Sequence, residues 1–304
     1  MKKTLTALGC GAAVWAMAAG AQAAFKDPLW SARVAALGGA SAAVDTGASS
    51  AFYNPAAAVY NKNREAQFTY AKLFAGLDDV GLSLNELGYF HPLKGNNVLS
   101  AGWGSVVASG LRREDTLALS GAHLFENVKV VGDLSTGLTL RYLSQSYTLD
   151  ERTAGDPAFS EGRTRSDVAL DAHAYVPVVP KLPELSLGLS LRSLNQPDVG
   201  FSEKDTLPFE MALGGLYKWR NFSFPADLVF RDGELIPELG VEGAYFQDRL
   251  ALRGGTDTDQ VGLGVGYNHD LGGKRALLFD YTFLWPLNLD DTSGSHRATL
   301  GVRF

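Results

Sequence analysis

From about residue 64 to the C-terminus, apolar and polar residues alternate with a period of two. In Leu185-Ser-Leu-Gly-Leu-Ser-Leu-Arg192 the four leucines share one parity, while Ser, Gly and Arg take the other. Leu134, Leu138, Leu140 and Tyr142 stand opposite Asp133, Ser135, Thr139 and Arg141 in the same way. Phe209, Met211, Leu213, Tyr217 and Trp219 oppose Glu210, Gly214 and Lys218. Val261, Leu263, Val265 and Tyr267 alternate with Gly262, Gly264, Gly266 and Asn268, and Leu277 to Trp285 repeats the pattern around Asp280 and Thr282. Successive side chains of a strand point to opposite faces, so each stretch predicts a strand with one greasy face and one polar or small face.

A soluble sandwich buries the greasy face, whereas a membrane barrel turns it outward to lipid and lines its lumen with the polar face. The stretches run to about nine to fourteen residues, the length of a tilted spanning strand and longer than ordinary soluble strands. Tyr142, Tyr217, Trp219, Tyr267 and Trp285 sit near stretch ends on the greasy face, where interfacial girdle residues belong. The pattern therefore predicts an all-β chain, a transmembrane antiparallel β-barrel of about 14 strands. They are placed at 64–76, 79–91, 96–107, 113–125, 128–150, 165–177, 183–194, 206–219, 221–231, 234–246, 248–256, 260–269, 273–285 and 295–304. Long connections (150–166, 195–205, 286–295) alternate with mostly short turns (126–127, 220–221, 247–248, 271–273), which assigns them to opposite ends. Both termini then fall at the short-turn end, read as periplasmic for an integral protein of the bacterial outer membrane. One stretch changes step: Val80, Leu82 and Leu84 share a parity that Leu87, Tyr89 and His91 do not. Either a bulge or kink near Asn85-Glu86, or a displaced strand boundary, accounts for it.

The first residues, MKKTLTALGCGAAVWAMAAGAQA, have a basic start, an apolar run too short to span a membrane, and a small-x-small end. They read as a signal peptide covering 1–23. Cys10 after Gly9 fits a lipoprotein cleavage site less well, because Ala7 stands where Leu is expected. Cys10 is the only cysteine, so a chain cleaved after Ala23 has no thiol or disulfide chemistry. Loss of Lys2 and Lys3 takes the formal charge from −6 to −8, which argues against a nucleic-acid partner.

Residues 24–63 lack the strand pattern and are rich in Ala, Gly and Ser. Asn54 before Pro55 and an alanine run predicts one short helix over 55–60. A barrel of this size has a lumen wider than wall side chains fill, so the segment is expected inside as a plug.

Candidate chemistry is sparse. The five histidines are scattered, Ser295-His296 would point to opposite faces of a strand, and Thr256-Asp-Thr-Asp259 lacks the further ligands of a calcium site. Gly262-Leu-Gly-Val-Gly266 lies within strand alternation and precedes no helix pattern, unlike a nucleotide loop. No enzyme activity, cofactor or metal is expected. Arg141, Arg192, Glu210, Lys218 and Asp280 have lumen parity and are candidates for charge networks holding the barrel and plug together.

Arg33 after Ala32, then Leu37-Gly38-Gly39-Ala40, Asp45 and Asn54-Pro55-Ala56, resemble the N-terminal signature of the FadL superfamily. Glu238-Leu-Gly-Val-Glu-Gly-Ala-Tyr245, Leu250-Ala-Leu-Arg-Gly-Gly255, Phe279-Asp-Tyr281 and the His296-Arg297 to Phe304 ending resemble its PorV/PorQ-like branch. The chain departs from the pattern at Asp45-Thr46, where two acids are usual, and at Ala57-Ala58, where Gly-Leu is usual. The resemblance implies a 14-stranded barrel with an N-terminal plug, outer-membrane lipid around it, and passive uptake of small hydrophobic compounds such as fatty acids or hydrocarbons. The PorV-like branch implies the alternative of docking to a type IX secretion system and handling exported proteins. Leu300, Val302 and the terminal Phe304 resemble the signal by which such barrels engage the barrel assembly machinery.

Overall fold

The computed structural model describes residues 25, 29–77, 81–149, 155, 157–159, 162–289 and 291–304; the leader assigned to 1–23 and part of the 150–166 connection lie outside them. The strands are β1 (Glu65–Leu73), β2 (Leu82–Pro92), β3 (Asn97–Ala108), β4 (Arg112–Val128), β5 (Gly132–Tyr147), β6 (Thr164–Val176) and β7 (Leu185–Arg192). They continue with β8 (Glu210–Trp219), β9 (Phe222–Arg231), β10 (Glu234–Tyr245), β11 (Leu250–Thr256), β12 (Gln260–Gly272), β13 (Arg275–Pro286) and β14 (Ser295–Arg303). Each pairs antiparallel with its sequence neighbours, and β14 pairs with β1 to close a 14-stranded barrel, as the alternation predicts. Closure leaves no free sheet edge, which lipid would not tolerate.

The greasy parity faces out. Leu138, Leu213, Leu263 and Leu300 are among the exposed apolar residues, and Tyr142, Tyr217, Trp219, Tyr267 and Trp285 are exposed on the same outer surface. Arg64 and Phe304 exchange backbone hydrogen bonds, bringing both ends of the barrel chain to the short-turn end.

Three local expectations need correction. β2 keeps one unbroken register with both neighbours, so there is no bulge or kink near Asn85-Glu86. Its parity change has another cause: Leu84 faces inward, fully buried against the N-terminal segment, while Leu87 and Tyr89 face out. The turn expected at 126–127 lies at 129–131, because a register shift between Phe125 and Val128 lengthens β4. Finally, β7 stops at Arg192 and β8 starts at Glu210, so their connection is longer than 195–205. Pro197 and Pro208 donate no ladder hydrogen bond, and Ser193 (φ 52°) and Gln196 (φ 45°) turn the chain out of extended backbone.

Residues 29–59 lie within the barrel and are almost wholly buried. They form one helical turn, α1 (Ala32–Ala36), and two 3₁₀ stretches, Gly47–Phe52 and Pro55–Ala58. The last is a single tight turn rather than a helix over 55–60; Pro55 sets its start and Asn54 caps it. Trp30, Val34, Phe52 and Tyr53 pack against Leu84 and Leu284 of the wall, and Ala43, Val44 and Ala56–Val59 against Phe90 and Val98. Wall glycines make room. A Cβ on Gly104 would fall on the Trp30 ring, and one on Gly264 would meet Ala36 of α1 and Thr282.

Candidate functional site

The buried N-terminal segment separates two cavities that share no lining residue. The outer cavity, of about 350 Å³, lies toward the long connections; Leu207, Pro208, Asp232 and Thr258 contribute to its walls. Its aromatic residues come from the N-terminal side: Phe25, and Trp30 with Phe52, whose ring centroids are 5.0 Å apart. Val106 and Ile236 add apolar wall surface.

Five of the charges around this cavity (Glu114, Arg141, Arg192, Glu210 and Arg231) are paired, while Asp232 and Glu234 stand exposed in its lining. Arg141 grips Asp171 with two bonds (2.7 and 2.8 Å) and donates to Ser193 Oγ at 3.1 Å. Glu210 accepts from Arg192 at 2.8 Å and from Arg231 at 3.2 Å. Glu114 pairs with Arg112 at 2.5 Å and accepts the Phe25 N–H at 3.0 Å. Paired charges in a confined site offer fewer uncommitted hydrogen-bonding groups to a guest, so the aromatic and aliphatic surface is what an apolar molecule would contact.

The inner cavity, of about 470 Å³, is polar and lies toward the short turns, with Lys218, Arg220, Asp248 and Arg249 in its lining. There Arg33 of α1 holds Glu242 of β10 through two bonds (3.0 and 2.8 Å) and donates to the Asp45 carbonyl at 2.9 Å. Arg253 ties Glu242 to Asp280 with contacts of 2.5 Å each. Asp45, half-buried at the cavity edge, accepts the Gly47 N–H at 2.9 Å. Burial, helped by the nearby Glu65 carboxylate, pushes the Asp45 carboxyl up to about 6.

The remaining sequence-selected residues sit as follows. Asn54 accepts the Ala56 N–H at 2.9 Å and donates to the carbonyls of Ala42 (2.6 Å) and Ala174 (3.3 Å), linking two parts of the segment to β6. Gly38 and Gly39 both have positive φ (68° and 95°) at the end of α1, and a Cβ on Gly38 would fall on the Thr256 backbone. Pro55 and Ala56 are buried in the tight turn that Asn54 caps. Of the five candidate lumen charges, Asp280 reaches the segment through Arg253, Glu242 and Arg33; Arg141, Arg192 and Glu210 join wall to wall, and Lys218 lines the inner cavity. Leu300, Val302 and Phe304 are exposed on the outer face at the closing strand.

Other anchors were not singled out from sequence. Asp227 accepts the Ser41 and Ala42 N–H groups at 2.7 Å each. Glu86, fully buried, accepts from Ser49, Gln67 and Thr69, and Arg297 donates to the Leu29 carbonyl at 2.6 Å. Their inward parity is the signal that would have found Glu86, Asp227 and Arg297. Among the described residues, no group of three or more His, Cys, Asp or Glu is placed to hold a metal ion.

No protein-family model and no curated protein matches the sequence significantly. Solved structures share the fold. The monoaromatic hydrocarbon channel CymD is 12% identical with a TM-score of 0.60, over 89% of this chain and 94% of that one. The Pseudomonas putida toluene transporter TodX is 12% identical with a TM-score of 0.54, over 90% and 96%. A FadL homologue from Pseudomonas aeruginosa is 13% identical with a TM-score of 0.51, over 87% and 95%. The chain is thus similar in fold to these barrels over nearly its whole described length.

Proposed function

We propose that the chain is a FadL-like channel of the bacterial outer membrane, admitting small hydrophobic molecules to the outer cavity and passing them by the N-terminal plug, with the short turns and termini in the periplasm. The observation that carries this reading is the outer cavity itself: an aromatic lining supplied by the plug, inside a wall where Arg141, Arg192, Glu210 and Arg231 are already paired. Its volume of about 350 Å³ suits a molecule of one or two rings or a short alkyl chain. Transfer from water to such a surface is favourable by roughly 25 cal/mol per Å² of apolar area buried. The barrels similar in fold include a monoaromatic hydrocarbon channel and a toluene transporter, which favours uptake over the handling of exported proteins.

The test is uptake of radiolabelled naphthalene by cells whose outer membrane carries this protein as their only barrel of the type. Replacing both Trp30 and Phe52 with Ala removes the aromatic pair and should lower uptake by about tenfold, since each aromatic contact contributes about 0.5–1.5 kcal/mol beyond its buried area. An unchanged rate in a correctly folded variant sinks the reading.

A further inference from the structure

We propose that the short-turn rim of the barrel is a collar for anionic phospholipids, whose phosphates it holds with cations spaced around the whole circumference. The inference goes beyond uptake and does not depend on it. Six connections lie at this end: residues 93–96, 129–131, 177–184, 220–221, 246–249 and 273–274. Each carries one Lys or Arg, in order Lys94, Lys129, Lys181, Arg220, Arg249 and Lys274, and all six are exposed. The same connections hold two acids, Glu184 and Asp248. Among the described residues none of the six cations pairs with a carboxylate, whereas Arg33, Arg141 and Arg253 in the lumen are each held by one. The opposite end is the reverse. Its seven connections (74–81, 109–111, 148–163, 193–209, 232–233, 257–259 and 287–294) carry fourteen Asp or Glu in sequence and three Lys or Arg. Charge is therefore sorted along the barrel axis, with a ring of uncommitted cations at the short turns.

A cation alone would suit any anion, but these stand beside exposed apolar residues. Val130 follows Lys129 and is 92% exposed, Leu182 follows Lys181, and Leu93 and Trp219 precede Lys94 and Arg220. Phe246, 74% exposed, shares its turn with Arg249, and Leu271 lies three residues before Lys274. The Arg220 guanidinium lies 4.9 Å from the Trp219 ring centroid, so charge and ring form one unit. At a membrane surface the apolar group of such a unit enters the acyl boundary while the cation stays among the headgroups. A headgroup phosphate there accepts the Lys or Arg N–H donors in charge-assisted bonds. The circular arrangement selects lipid over a soluble protein. A protein would engage one side of the rim, whereas an annulus of lipid meets every turn of a closed barrel. Zwitterionic headgroups supply no net charge, so the preference is for lipids such as phosphatidylglycerol.

The experiment compares two lipids at the barrel surface. Folded protein is placed in phosphatidylcholine vesicles, and association of spin-labelled phosphatidylglycerol and spin-labelled phosphatidylcholine is measured by electron paramagnetic resonance. At low salt the glycerol lipid should associate about two- to fivefold more strongly, and raising salt to about 0.5 M should remove most of the difference. Replacing all six cations with Gln should bring the ratio to about one at any salt. Lys94→Gln, Lys129→Gln and Lys274→Gln together, a milder variant should the larger one not fold, should bring it part of the way. Arg163→Gln with Lys204→Gln, at the opposite end, should leave it unchanged. A ratio of one for the wild type, a ratio indifferent to salt, or an undiminished ratio in the folded triple variant overturns the proposal. So does polyglutamate binding to the rim in detergent without any lipid preference, which would assign the cations to a soluble acidic partner. Naphthalene uptake is a separate measurement, and its failure would leave the collar standing.

Discussion

Asp45 shows how one residue of the N-terminal segment couples seating in the barrel to pH. Its carboxyl lies at about 6 when the segment is seated, above the ordinary carboxylate value of 3.8 that it regains on release to water. The seated form therefore binds the proton more tightly, and between those two values it holds more protons than the released form. Seating contributed by Asp45 is fully present below the lower value, weakens as pH rises through about 6, and is level beyond it. Hydrogen exchange of residues 41–58 should accordingly speed up relative to the wall strands as pH is raised across this window, after correction for intrinsic exchange. Asp45→Asn, which keeps an acceptor for the Gly47 N–H and cannot ionise, should flatten that dependence. The same slope in the variant would assign the titration elsewhere. The residue type was visible in the sequence; its environment was not, because Glu65, Arg33 and the inner cavity meet it only after the barrel closes.

At the scale of elements, β12 explains a motif that the sequence left idle. Gly262, Gly264 and Gly266 share the inward parity, and the first two let α1 approach the wall: a Cβ on Gly262 would meet the Ala35 carbonyl, and one on Gly264 would meet Ala36. Gly264→Val keeps the strand's own preference for branched residues but removes the space beneath α1. The barrel should still fold and resist heat in detergent, while the segment is displaced and single-channel conductance in planar bilayers rises well above wild type. Conductance equal to wild type would mean that α1 is not held by this contact. Strand number and facing were legible because period-two alternation is a local property of five or six residues. The end of β7 was less so. Leu185 to Arg192 alternates without a break and the parity reverses at Ser193-Leu194, where left-handed backbone at Ser193 and then Gln196 takes the chain off the ladder.

For the whole molecule, the decisive feature is a greasy exterior around a polar, occupied interior. Leu263, near the start of β12, is 61% exposed on the barrel's apolar outer face. Leu263→Lys should cost about 2–4 kcal/mol of unfolding free energy if that face lies at the bilayer midplane. Urea unfolding of the protein in lipid vesicles measures it; a cost near zero would place the residue outside the bilayer. Alternation alone determined the all-β class, the fourteen strands, the outward greasy face and a segment of small residues too unpatterned to be a strand. These follow from side-chain geometry within a few neighbours of each residue. The tertiary structure decided which charges meet, as with Arg33 and Glu242 far apart in sequence, and why Leu84 turns inward without a bulge. It also decided where the β6 edge is closed by the Asn195 side chain instead of a strand. Those features depend on register and closure, which bring distant residues to the same height on the wall, and a local pattern carries no record of height.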